Sequence, residues 1–166
     1  MKRRILLIFL TAFSLASFSQ TGVKIYGYVQ EVLPGTIPKG TDENGKKIEA
    51  VKVRDNYLIY ISVPGKSRIY PIELWIKGNR FSAKPETVTT TPVQQNDNLG
   101  KPITLVAKTS NNVQRIIPIP IIQGKEFLNA KKKSLSNELV VVYKLNGKYY
   151  SATQKKLTRL EPLNFE

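Results

Sequence analysis

Two apolar stretches on either side of Pro64-Gly65 constrain the fold more than any other part of the chain. In residues 57–63, apolar side chains occupy both faces of an extended strand, because successive side chains point to opposite sides. In residues 70–76, apolar residues alternate with Glu73, and Pro71 withdraws one backbone donor. A Pro-Gly pair favours a chain reversal. The segment therefore predicts a β-hairpin whose first strand is buried on both faces and whose second strand lies at a sheet edge or is bulged.

Short strands separated by turn residues continue along the rest of the chain. Alternating or β-branched residues predict further strands over residues 23–33, 48–54, 87–93, 103–107, 139–145 and 148–153. A loop is expected over residues 34–47 and one short helix around residues 126–132. The predicted fold class is all-β, a small antiparallel β-sandwich or partly open barrel of roughly eight to ten short strands with at most one short helix. One domain would span residues 20–160, followed by a C-terminal tail over residues 161–166.

Asn146-Gly147 is the strongest hairpin signal in the chain. A two-residue type I′ turn needs positive φ at both positions, and Asn and Gly tolerate that conformation best. Such a turn would pair Tyr143 with Tyr150 on one face of the hairpin. It would place Lys144 opposite Tyr149 on the other face.

Residues 1–19 have the pattern of a secretory signal peptide. A basic start at residues 2–4 precedes twelve largely apolar residues, and Ser17 and Ser19 fit a small-residue cleavage site. Twelve residues rise only about 18 Å as a helix, which is short of the roughly 30 Å hydrocarbon core of a bilayer. We therefore expect export to the periplasm, the cell surface or the extracellular space. We also expect no membrane span in the mature chain, residues 20–166.

The chain is strongly basic, with 26 Lys and Arg against 12 Asp and Glu. Loss of residues 1–19 removes Lys2, Arg3 and Arg4, which lowers the formal net charge by three, from +14 to +11. Such a charge attracts anionic polymers, or it simply provides a solvated surface. Export argues against nucleic acid as a partner, and so does the lack of aromatic residues interleaved with the basic runs.

The chain contains no His and no Cys, which excludes His-dependent triads, Cys nucleophiles and the usual zinc and haem ligands. Asp42-Glu43-Asn44-Gly45 is only a fragment of a calcium loop, and two lysines follow it. We expect neither a metal nor a cofactor. Carboxylate or Ser/Lys chemistry is what remains for an enzyme, and Glu73 is the carboxylate of most interest because its neighbours are apolar. An outward-facing strand residue explains Glu73 equally well, so the sequence favours a protein without enzymatic activity.

Residues 116–122 form the most apolar run of the mature chain, and Pro118 and Pro120 remove two backbone donors from the same side. This pattern predicts a sheet edge or a buried crossover, and if exposed it would offer an apolar strip to a partner. Aromatic and basic residues on sheet faces are the other candidates for binding. The candidate binding residues are Ile116, Ile117, Ile119, Ile121, Tyr149, Lys144 and Trp75.

These features together predict an exported, non-enzymatic module of the cell envelope. It would bind a protein partner or an anionic polysaccharide through a sheet edge or through a face that bears Tyr and Lys. A carboxylate- or Ser/Lys-dependent hydrolase of envelope polymers is the alternative. A structural subunit that adds a strand to the sheet of a partner is a third reading.

The signal-peptide prediction has a direct test. Intact mass and N-terminal sequencing of the protein recovered from the envelope fraction should show a chain that begins at Gln20. Replacement of Ser17 and Ser19 by Leu should leave the precursor uncleaved, because the cleavage site requires small side chains. A protein that begins at Met1 and stays in the cytoplasm would contradict export.

Overall fold

Ten strands and one helix form the part of the chain that the computed structural model describes, which comprises residues 22–33, 45, 53–65, 67–121 and 126–164. In chain order the strands and the helix are β1 (Lys24–Leu33), β2 (Arg54–Val63), β3 (Ile69–Ile76), β4 (Asn79–Thr87), β5 (Val93–Asn96), β6 (Pro102–Val106), β7 (Asn112–Pro120), α1 (Leu128–Ser134), β8 (Leu139–Leu145), β9 (Lys148–Gln154) and β10 (Thr158–Asn164). The predicted signal peptide and almost all of the loop and strand predicted over residues 34–54 lie outside the described residues.

Eight of the strands form one curled sheet in the order β10-β1-β2-β7-β4-β3-β8-β9, and β5 and β6 form a separate pair. The all-β prediction is confirmed, and the curled sheet resembles a half-barrel or sandwich. The expectation of a purely antiparallel sheet is wrong, because β1 and β10 run parallel. The parallel strand β10 occupies residues that the sequence assigned to a C-terminal tail, so the predicted domain boundary at residue 160 falls inside a strand.

The hairpin predicted around Pro64-Gly65 is wrong, although both of its strands exist. β2 pairs with β1 and β7, whereas β3 pairs with β4 and β8, so two strands separate β2 from β3. Gly65 has a φ of 66°, so the chain does turn there. A Pro-Gly pair specifies a local change of chain direction, but it does not determine that the strands before and after it pair with each other. The connection therefore leads to a different position in the same sheet.

The hairpin predicted at Asn146-Gly147 is confirmed residue by residue. Tyr143 pairs with Tyr150, and Lys144 pairs with Tyr149. Asn146 and Gly147 have φ values of 49° and 80°, which is the combination that a type I′ turn requires. Between β8 and β9, local turn chemistry alone determines which strands pair and in which register.

The strand β7 lies inside the sheet, but the run that contains Pro118 and Pro120 pairs with β4 alone among the described strands, so the predicted edge position holds for that run. Its pairing with β2 ends at Ile116 opposite Ile59, whereas its pairing with β4 continues to Pro120 opposite Phe81. Both prolines therefore lie beyond the β2 ladder, where the absence of a backbone donor costs no hydrogen bond between β7 and β2.

The inner side of the curled sheet carries the main apolar core. Buried residues from β1, β2, β3, β7 and β8 meet there, and they are Val29, Ile59, Ile61, Val63, Ile69, Leu74, Ile76, Ile116, Leu139, Val141, Tyr143 and Leu145, together with Leu157 from the connection before β10. The outer side is covered in two places. The β5–β6 pair packs on β1, β2 and β7, and α1 packs on β3 and β8.

A close contact between β1 and β9 draws the two ends of the sheet together. The Oε1 atom of Gln154 accepts a hydrogen bond from the N–H of Gly27 at 2.8 Å, and its Nε2 atom donates to the C=O of Gly27 at 3.1 Å. The ladder between β1 and β10 begins only at Tyr28, so the Gln154 amide takes the place of a strand partner for Gly27. A Cβ atom at Gly27 would lie 2.5 Å from Leu139 and 2.7 Å from Leu157, so only glycine fits at this approach.

Among the described residues, no helix has the length and apolar character needed to cross a membrane. The helix α1 has seven residues and lies close to the position predicted for it.

The contact between Gln154 and Gly27 should contribute measurably to stability. We expect Gln154→Ala to lower the free energy of unfolding by about 1 to 2 kcal/mol, because it leaves the N–H and C=O of Gly27 without their partner. Gln94→Ala provides the matched control, since Gln94 is exposed and its amide donates only one long bond, of 3.4 Å, to Thr104. Urea unfolding measures both variants. Equal effects of the two substitutions would contradict the role assigned to Gln154.

Candidate functional site

A row of exposed residues crosses three neighbouring strands on the outer side of the sheet. Tyr70 on β3 pairs with Lys144 on β8, and Lys144 pairs with Tyr149 on β9, so the three side chains share one face. Tyr70 and Tyr149 are 58% and 57% exposed. The Nζ atom of Lys144 lies 5.8 Å from the centroid of the Tyr149 ring, within the range of a cation–π contact. We call Tyr70, Lys144 and Tyr149 the outer row.

A β-bulge in β3 places Tyr70 in this row. The register between β3 and β8 shifts between Pro71 and Glu73, so strict alternation is broken there. Ile69 lies in the inner core before the bulge and Leu74 after it. Strict alternation back from Leu74 would place Tyr70 on the inner side, so the bulge is what turns Tyr70 outward.

A cleft opens beside the outer row, between α1 and β9. Ala130 and Phe127 pack on Trp75, Val140 and Val142, which holds α1 over β3 and β8. The remaining space over β9 has a volume of about 370 Å³ and is lined by Phe127, Asn129, Ala130, Lys133, Val142, Tyr149, Tyr150 and Ser151. We call this space the α1–β9 cleft.

Two aromatic rings and one ammonium group define the chemistry of the cleft. The rings of Phe127 and Tyr149 have their centroids 5.4 Å apart and their planes inclined at 48°. The Nζ atom of Lys133 donates a hydrogen bond to the Oγ atom of Ser151 across the cleft. The walls are thus partly aromatic, and Lys133 is the charged residue among the described lining residues.

A second hollow lies at the opposite end of the outer row. It has a volume of about 450 Å³ and is lined by Arg68, Tyr70, Lys144, Asn146 and Gly147. No described carboxylate lines either hollow. The outer row therefore runs between two hollows whose charged residues are all cationic.

Trp75 is 4% exposed, and it supports this surface from below rather than forming part of it. Its Nε1 atom donates to Oε1 of Glu73 at 2.7 Å. The other oxygen of Glu73 accepts from the Nε atom of Arg80 at 2.8 Å and lies 2.6 Å from its Nη2 atom. Glu73 points to the outer side of the sheet, as an outward-facing strand residue would, but it is buried there and only 2% exposed. Both of its oxygens have structural partners, and this occupies the groups that catalysis would need.

The isoleucines predicted as an apolar strip are not exposed together. Ile116 is fully buried in the inner core, while Ile117 and Ile121 are partly buried. Ile119 is 41% exposed. Because side chains alternate along β7, Ile117 and Ile119 share the side opposite Ile116, and of these residues only Ile119 is well exposed. The strand β4 separates β7 from β3, and so the structure does not bring these residues together with the outer row.

Glu31 and Asp55 face each other across β1 and β2, and they are the carboxylate pair most relevant to a hydrolase. Lys77 lies 2.8 Å from Asp55, and Arg159 lies 3.6 Å from Glu31, so each carboxylate has a cation. The hydrogen bond from Lys77 lowers the pKa of Asp55. Burial, followed by the hydrogen bond that it donates to Asp55, raises the pKa of Tyr57 to about 12. A general acid needs a carboxyl pKa raised toward neutrality, and Asp55 has the opposite shift.

Among the described residues, no group of three or more carboxylates is placed to hold a metal ion.

The sequence identified Lys144 and Tyr149 as candidates, but it missed Tyr70, Phe127, Lys133 and Arg68. The Asn146-Gly147 turn fixes the first pair locally. The position of Tyr70 depends on the bulge, and that of Phe127 and Lys133 depends on how α1 packs, and neither has a local signal. Comparison with known proteins found no match to a family model, a curated protein or a solved structure.

The buried contacts of Glu73 with Trp75 and Arg80, beneath the outer row, lead to a prediction about stability. We expect Glu73→Gln to lower the free energy of unfolding by about 3 kcal/mol, because it removes the buried negative charge that lies 2.6 Å from the largely buried Arg80 guanidinium. Glu31→Gln is the control, since its ion pair with Arg159 is exposed and should contribute less than about 1 kcal/mol. Thermal and urea unfolding at neutral pH measure both. If Glu73→Gln lowered the free energy of unfolding no more than Glu31→Gln does, a structural role for Glu73 would be contradicted.

Proposed function

We propose that this protein is an exported, non-enzymatic module of the cell envelope that binds an anionic polysaccharide through the outer row and the two hollows beside it. The observation that carries the proposal is the row itself. Two exposed tyrosines flank a lysine on adjacent strands, and Arg68 and Lys133 supply further positive charge at the two ends. Aromatic faces with cationic neighbours suit a ligand that has apolar ring faces and negative charge.

The dimensions of the row favour a polymer over a small anion. Neighbouring strands lie about 4.8 Å apart, so the row from β3 to β9 spans roughly 10 Å before the hollows are added. A single small anion would contact only one of these strands. A chain of sugar rings laid across the strands could contact Tyr70, Lys144 and Tyr149 in sequence. The backbone beneath the row is already paired in the sheet, which limits the ordering cost of binding.

Charge supports the same partner. The mature chain would carry a formal net charge of +11, after loss of three basic residues from +14. Surface charge of one sign raises the local concentration of an oppositely charged polymer. The main groups that would contact it, Lys144 and Lys133, are exposed, so the attraction should weaken as salt is added.

The other candidate surfaces support the proposal less well. Recognition of a protein through β7 could use only the last few residues of the strand, because β2 and β4 flank its first half. Hydrolysis would need a carboxyl group poised to donate a proton, yet Glu73 and Asp55 are both held by cations. The outer row is therefore the surface on which we base the proposed function.

The proposed function predicts selective, salt-sensitive binding. The full chain, recovered after export, should bind polygalacturonate at 50 mM salt, lose most of that binding at 500 mM salt, and ignore neutral dextran. The double substitution Lys144→Ala/Arg68→Ala should weaken binding about tenfold, or about 1.4 kcal/mol. Isothermal titration calorimetry measures each affinity.

The matched control removes two positive charges elsewhere. Lys101→Ala/Lys108→Ala changes exposed lysines near the β5–β6 pair, away from the outer row. We expect less than a threefold effect for this variant, because only the overall charge changes. An equal loss in both double variants would show that charge alone recruits the polymer. Absence of binding to polygalacturonate at low salt would contradict the proposed function itself.

A further inference from the structure

We propose that the α1–β9 cleft is a subsite for one acidic sugar ring, meaning a ring that carries a carboxylate, of the polymer that the outer row binds. This inference rests on the proposed function and makes it more specific. Tyr149 belongs both to the row and to the cleft, so a chain that follows the row would reach the cleft at its β9 end.

The walls of the cleft suit a ring. Phe127 and Tyr149 form two aromatic surfaces inclined at 48° with their centroids 5.4 Å apart. More than half of the Tyr149 side chain is exposed despite this contact. The C–H face of a sugar can pack on such a ring while its hydroxyl groups stay at the rim. The volume of about 370 Å³ lies at the lower end of the range for small-ligand sites.

The polar groups of the cleft suit a carboxylate together with hydroxyl groups. An ammonium group has three donors, and Lys133 uses one of them on Ser151. No carboxylate among the described residues forms an ion pair with Lys133, so the remaining donors can meet a carboxylate of the ligand. Asn129 and Ser151 add an amide and a hydroxyl that can bond sugar hydroxyls.

Contacts between α1 and the sheet hold the wall of the cleft in place before a ligand binds. The C=O of Phe127 accepts hydrogen bonds from the N–H groups of Ala130 and Lys131, at 2.8 and 3.1 Å. Ala130 is buried against Trp75, which in turn donates to the Glu73 carboxylate. The position of Phe127 is thus coupled to the sheet, and binding need not order the wall first.

A polyanion without rings would use only part of this site. Phosphate groups along an unbranched chain could meet the lysines, but they offer no apolar face to Phe127 and Tyr149. A neutral sugar could pack on the rings but would leave Lys133 without a counter-charge. Only a ring that carries a carboxylate uses both the walls and the ammonium group, and this distinction makes the inference testable.

The test compares three probes on the full chain recovered after export. Trigalacturonate has rings and carboxylates, maltotriose has rings alone, and polyphosphate has charge alone. We expect trigalacturonate to bind at least tenfold more tightly than maltotriose at 150 mM salt. Tyr149→Ala should weaken the binding of trigalacturonate about tenfold but the binding of polyphosphate less than twofold. Lys133→Gln should reduce the affinity for trigalacturonate to near that for maltotriose.

Two controls separate the outcomes. Tyr149→Phe keeps the aromatic wall and should bind like the unchanged protein, while circular dichroism checks that each variant folds. If polygalacturonate and trigalacturonate bind but Tyr149→Ala and Lys133→Gln leave their affinity unchanged, the subsite is overturned and the proposed function stands. If poly-glutamate binds with the same dependence on Tyr149, the cleft recognises acidic peptides and the sugar subsite is overturned. If no anionic polymer binds at any salt concentration, both proposals fail.

Discussion

The β-bulge between Pro71 and Glu73 is the constraint on which the candidate site depends. Without it, strict alternation along β3 could not place both Ile69 and Leu74 in the inner core. The bulge lets the strand fill the core at both ends and turns Tyr70 outward, opposite Lys144. It also directs Glu73 and Trp75 to the outer side, where α1 covers the strand. One irregular step in the ladder thus positions both the exposed row and the support of the cleft.

The buried carboxylate of Glu73 connects these parts. It satisfies the indole N–H of Trp75 and the guanidinium group of Arg80, so two large polar side chains can be packed on the outer face without unpaired donors. Trp75 then offers an apolar surface to Ala130 of α1. The result is a helix held at a fixed distance from β9, and the α1–β9 cleft is the space that remains. A carboxylate in such a position contributes to binding indirectly, through the geometry of its neighbours.

The limits of prediction follow from how far apart in the chain the interacting residues lie. The Asn146-Gly147 turn specifies β8, β9 and the pair of Lys144 with Tyr149, because all the information is local. Pro64-Gly65 also marks a turn, but the partners of β2 and β3 are chosen by distant strands, and the hairpin prediction failed. The outward position of Tyr70 could not be predicted because a periodic pattern carries no sign of a bulge, and the burial of Glu73 depends on its contacts with Trp75 and Arg80. The parallel strand β10 was missed because its residues read as a polar tail, and only its distant partner β1 makes it a strand.

The most direct test of the binding face is a map of where an anionic polysaccharide touches the protein. Backbone amide chemical shifts should be followed by NMR while an oligogalacturonate is added at constant salt. We expect the largest changes at Tyr70, at Lys144 and Tyr149, and along α1, with little change on β10 and the β5–β6 pair. Shifts spread evenly over the basic surface, or concentrated near Ile119, would contradict recognition through the outer row.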